Sequence, residues 1–131
     1  MTETTTVELI NNRAGTNLLL CSGNYNSYDA ESDNYIAEIK NRRKYYAEKL
    51  IEASKLFVNY QKAQIKGKAL IYVVTDEKGV YIYNISQNIE TIVNMPLKAL
   101  DCPMTTDFSK NAKIKKYSYV LPEFMATFIA Y

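Results

Sequence analysis

Six consecutive residues, Ala69-Leu-Ile-Tyr-Val-Val74, are apolar, and four of them are β-branched or aromatic. A strand with one wet face alternates apolar and polar residues. An unbroken run instead fits a strand buried on both faces, inside a sheet that is covered on either side. Thr75-Asp-Glu-Lys-Gly79 then supplies turn residues, and Val80-Tyr-Ile-Tyr-Asn-Ile85 is expected to return as the hairpin partner.

The rest of the chain is read around that strand. Tyr46, Leu50, Ala53, Phe57 and Tyr60 recur at spacings of three and four, which predicts a long helix from about Arg43 to Gln64, closed by Lys66-Gly67-Lys68. Upstream, a short helix is expected over Thr5 to Asn12, a strand over Asn17 to Cys21, and another over Tyr35 to Asn41. Downstream, a short segment reaches Leu100, a loop follows from Asp101 to Thr106, and a strand runs from about Ile114 to Leu121, where Pro122 stops it. This order predicts an α/β fold with a central mixed β-sheet flanked by helices. At 131 residues and 47% hydrophobic, the chain suits one domain, residues 1–131, with a core that needs no structural metal.

Composition narrows the chemistry. Histidine is absent, which excludes Ser-His-Asp and Cys-His mechanisms and His-built zinc sites. Cys21 and Cys102 lack zinc spacing and are expected to be reduced and buried. Met1-Thr-Glu-Thr-Thr-Thr has neither a basic start nor an apolar stretch, so no signal peptide is expected, and no apolar run approaches membrane length. The expectation is a soluble cytoplasmic protein without a membrane partner. A net charge of +2 neither demands nor excludes nucleic acid.

The chemically informative stretch runs from Asn26 to Arg43. Side chains on a strand alternate, so Ile36, Glu38 and Lys40 share one face while Tyr35, Ala37 and Ile39 take the other. An acid and an ammonium therefore stand side by side in an otherwise apolar strand. Asp33-Asn34 suits a two-residue hairpin tip. Zipping outward pairs Ser32 with Tyr35, Glu31 with Ile36, Ala30 with Ala37, and Asp29 with Glu38. Opposite residues in such a ladder have Cβ atoms about 4.5–5.5 Å apart. Two carboxylates that close repel unless something cationic joins them, and a divalent ion with Lys40 beside it would serve. Mg²⁺ favours oxygen ligands and keeps several waters, so two carboxylates and a backbone carbonyl are enough protein ligands.

Asp29, eight residues, then Glu38-Ile39-Lys40 resembles the D…ExK signature of the PD-(D/E)xK nuclease superfamily, with Tyr28 where that family often has proline. The "EIKNR" segment, the helix and "YVVTDEKGVYIYNI" resemble small phage-type or Holliday-junction-resolvase-like members, over roughly Thr5 to Ile85. The resemblance implies a restriction-endonuclease-like core and a Mg²⁺-dependent endonuclease, with Mn²⁺ as a substitute ion, acting on nucleic acid, chiefly DNA. It implies Asp29 and Glu38 as metal ligands with the Ile39 carbonyl, and Lys40 as the residue that assists the attacking water. Glu8 on the first helix would be a further ligand, and Lys55 an auxiliary catalytic group. Arg42, Arg43 and Lys44 would hold flanking phosphates. A homodimer is a family-level expectation, and a phage-borne chain would work in the host cytoplasm. The alternative is a catalytically inactive phage-encoded binding, inhibitory or structural protein on this or another small α/β fold.

Overall fold

A computed structural model describes residues 1–22, 27–103 and 113–131, with side chains given for all of these but 100–103 and 113–115. Helix α1 (Glu3–Ala14) opens the chain, Thr2 capping it by accepting the Thr5 N–H at 3.1 Å. Gly15 ends it in the left-handed region, with φ 69°. Two short strands, β1 (Leu19–Leu20) and β2 (Ala30–Glu31), precede β3 (Tyr35–Asn41). Then come β4 (Lys49–Glu52), α2 (Ala53–Lys66), β5 (Ala69–Thr75), β6 (Gly79–Asn84) and α3 (Ile89–Val93). The chain closes with β7 (Lys98–Pro103), β8 (Lys113–Leu121), a 3-10 turn (Glu123–Met125) and β9 (Thr127–Ala130).

The fold is α/β with a mixed sheet. Six strands run in the order β1-β2-β3-β5-β6-β9, and a second sheet of three runs β4-β8-β7. Among the described residues only β3 and β5 pair in parallel, from Tyr35 opposite Ala69 to Asn41 opposite Thr75. A parallel pair needs a crossover between its strands, and here β4 and α2 supply it.

The apolar run of β5 is buried on both faces, as its composition requires. Leu70, Tyr72 and Val74 enter one core with Ile36, Leu56, Ala63, Tyr83, Tyr119 and Leu121. Ile71 and Val73 enter the other with Val7, Ile10, Ala37, Ile39 and Val80. Thus α1 covers one face of the six-stranded sheet, while α2 and the smaller sheet cover the other. Tyr72, Tyr81 and Tyr83 are core residues, as strand patterning suggests. Among the described residues no helix is long and apolar enough to cross a membrane.

The largest departure from the sequence-based expectation lies between Arg43 and Glu52. The expected helix begins only at Ala53, and Lys49–Glu52 forms β4 instead. This strand buries Lys49 and Ile51 and pairs with Ser118 to Leu121 of β8, a distant partner that overrides local helical spacing. Asp101-Cys-Pro103 belongs to β7 rather than to a loop, and residues 104–106 of that expected loop lie outside the described ones. Residues 24–26, read as polar connection, also lie outside them. Cys21 is a free thiol, only half-buried rather than buried, and the Cys102 side chain is outside the described set.

Candidate functional site

Asp29 stands just before β2. The hairpin ladder pairs Ala30 with Ala37 and Glu31 with Ile36, in the expected register, and the Ser32 N–H donates to the Tyr35 carbonyl at 2.8 Å. It stops one pair short of Asp29 and Glu38, so those two are not a ladder pair as expected. The Asp29 N–H donates to the Ala37 carbonyl at 2.9 Å, and its carboxylate reaches β3 instead: Oδ2 accepts the Ile39 N–H at 2.7 Å. Backbone connectivity thus ends where the side chain takes over.

Glu38 and Lys40 share the face of β3 that carries Ile36 into the α2-side core, as strand alternation requires. Near them the N-terminal half of α2 crosses. Asp29, Glu38, the Ile39 segment and Lys40 line one cleft of about 430 Å³, together with Ser27, Ser54, Lys55 and Val58. Lys55 Nζ lies 3.8 Å from Glu38 Oε1. The expected auxiliary lysine is therefore within reach of the expected acid.

Asn59 was not anticipated from the sequence. It is fully buried, donating from Nδ2 to the Ser27 carbonyl at 3.0 Å and to Glu38 Oε2 at 3.4 Å. Its Oδ1 accepts the Ser27 hydroxyl at 2.6 Å, and Lys62 Nζ donates to that same hydroxyl oxygen at 2.7 Å. A buried amide must find partners, and Asn59 finds them in the acid and the loop that precedes it. The available signal was its position, three residues after Leu56 and four before Ala63, a polar residue within the buried stripe of α2.

The electrostatics push the acid and the lysine toward neutrality. Burial raises the Glu38 carboxyl above its ordinary range, and the Asp29 charge adds to this; Lys55, the Asn59 bond and Lys40 pull the other way. Burial also holds the Lys40 ammonium below its usual range, helped by Arg42 and Lys55 and opposed by Glu38 and Glu52. Displaced acids and bases in a cleft are typical of working sites and also of structural charge networks.

The remaining expected residues divide. Arg42, Arg43 and Lys44 line a second cleft, of about 800 Å³, which shares Lys40 with the first. Glu8 is exposed on α1 and lines neither cleft. The α1 acid that feels Asp29 is Glu3, whose carboxyl is raised by burial first and by the Asp29 charge second. Among the described residues no group of three or more His, Cys, Asp or Glu side chains gathers as a metal cage. Among the described residues that line this cleft, Asp29 and Glu38 are the acids. No family model matches the chain, and neither a curated protein nor a solved structure does so.

Proposed function

We propose that the chain is a divalent-metal-dependent endonuclease with a restriction-endonuclease-like core, hydrolysing phosphodiester bonds in DNA. The observation that carries this reading is the meeting of Asp29, Glu38 and Lys40 in one cleft, although only Glu38 and Lys40 share a strand. The mixed sheet between α1 and α2 supports the fold reading.

The donor set fits a hard cation. Glu38 is raised partly by the neighbouring Asp29 charge, a repulsion that a bound cation relieves, and oxygen donors suit Mg²⁺ or Mn²⁺. Asp29, Glu38 and the Ile39 carbonyl would hold it. When bound, such an ion supplies Lewis-acid polarisation of the phosphate and a more acidic water. The chain's own residues do the rest. Asn59 and Lys55 hold the Glu38 carboxylate in place. Lys40 orients the attacking water and offsets charge as the new P–O bond forms and the strand P–O bond breaks, the water's proton passing to solvent and the leaving oxygen taking one from solvent. Arg42, Arg43 and Lys44 hold neighbouring phosphates.

The test is cleavage of supercoiled plasmid and of a branched oligonucleotide in Mg²⁺, Mn²⁺ or EDTA. Wild type is expected to nick in either metal but not in EDTA, and Glu38→Ala and Lys40→Ala are expected to lose that activity. Metal-independent cutting, or cutting that survives Lys40→Ala, would defeat the assignment. Absence of any cleavage alongside tight DNA binding would turn the reading toward an inactive binding protein.

A further inference from the structure

We infer that the second cleft is a subsite for an unpaired nucleotide next to the scissile phosphate, so that the substrate is a strand with unstacked bases at the cut. The inference rests on the nuclease reading for its substrate. Its geometry stands apart from that reading.

Lys40 lines both clefts, so the two adjoin there, and the proposed strand, with its phosphate by Asp29 and Glu38, would continue into the second. There the rim and the wall differ in character. Arg42, Arg43 and Lys44 are exposed, and none of their side chains forms an ion pair among the described residues. The two acids that line this cleft are already paired, Glu48 with Lys98 at 2.7 Å and the buried Asp76 with Lys49 at 3.5 Å. The cationic rim is therefore left to a ligand's negative charge, and a phosphodiester chain matches it.

The wall carries an apolar stretch of Leu50, Tyr72 and Val74, beside the buried pair of Lys49 and Asp76, 3.5 Å apart. Tyr72 is fixed, its hydroxyl donating to the Leu50 carbonyl at 2.8 Å. Tyr46 is 57% exposed and stacks on no other ring among the described residues. Intact duplex DNA keeps its bases stacked inside and needs only surface cations. A concavity that combines cations, an apolar stretch and a free aromatic ring matches a splayed base with its phosphate. At about 800 Å³ it lies within the size range of small-molecule sites.

The experiment measures binding in EDTA, where no cleavage is expected, by fluorescence anisotropy of a labelled 15-nucleotide single strand and of a blunt hairpin duplex. Wild type should bind the single strand at least about tenfold more tightly. Tyr46→Ala should lose about tenfold or more on the single strand and leave the duplex unchanged, while Tyr46→Phe restores the ring and the affinity. Arg43→Ala should weaken both. Equal affinity for the two probes, or a Tyr46→Ala protein that binds like wild type, overturns the subsite. Cleavage in Mg²⁺ is scored separately. Cutting without single-strand preference rejects the subsite and keeps the nuclease; preference without cutting does the reverse.

Discussion

The Asp29 carboxylate accepts the Ile39 N–H at 2.7 Å, which ties the segment before β2 to the peptide that joins Glu38 to Ile39. One side chain thus holds a backbone position and carries a charge, and two substitutions separate these roles. Asp29→Asn keeps an acceptor and should melt within a few degrees of wild type. Asp29→Ala orphans the N–H and should lose about 1–3 kcal/mol. Both should lower Mg²⁺-dependent nicking by roughly a hundredfold or more, since both remove the charge. Paired melting curves and plasmid assays check this, and an Asn variant as unstable as the Ala variant contradicts it.

Lys49 is the least expected residue in the core. Its ammonium lies 2.8 Å from Glu123 Oε1 and 3.5 Å from the buried Asp76 Oδ2, with the Tyr45 and Tyr81 rings 4.2 and 4.1 Å away. Lys49→Met strands the Asp76 charge and should cost about 3 kcal/mol or more in urea unfolding. Adding Asp76→Asn should recover a large part of that, because an amide oxygen can still accept the Lys78 and Gly79 N–H groups that Asp76 Oδ1 now accepts. A double variant no more stable than Lys49→Met would refute the argument.

Glu31 governs part of the acid response. Hydrogen bonds from Lys68 and Lys66, with a smaller one from Tyr28, pull its carboxyl from 4.5 to about 2. A depressed acid stabilises the fold above its unfolded value, and that contribution is lost as pH falls through the folded one. Wild type should therefore exceed Glu31→Gln by roughly 1 kcal/mol at pH 6, given solvent screening of these pairs. The gap should shrink between pH 4.5 and pH 2. Melting of both proteins across that range decides it; a gap independent of pH removes Glu31 from the account.

Local pattern was informative where it decided structure. Tyr35–Asn41 is the strand its alternation predicted, and β5 with β6 followed from an apolar run and a turn. The pairing of Ala30 with Ala37 followed from Asp33-Asn34 at the hairpin tip. Where a distant partner decided, the pattern misled. Lys49–Glu52 carries helical spacing but is held by β8, and β9 is a short edge strand recruited by β6. The site divides in the same way. Asp29 and Glu38 were visible because a hairpin connects them. Asn59 and Ser27 were not, because the crossover brings them together from 32 residues apart. Glu3 follows the same rule, since the docking of α1 brings its charge near Asp29.

The parallel pairing of β3 with β5 also has a consequence in time. The contact between Asp29 and Ile39 spans 10 residues, whereas Asn59 reaches Glu38 across 21. A hairpin closes in about 1–10 μs, while a parallel pair must wait for its whole crossover to be laid down. On that ordering a refolding chain leaves Glu38 in water until the crossover closes over it. The protonation behaviour of Glu38 then changes only when α2 settles over β3, so the cleft acquires its chemistry at the end of folding rather than with its residues.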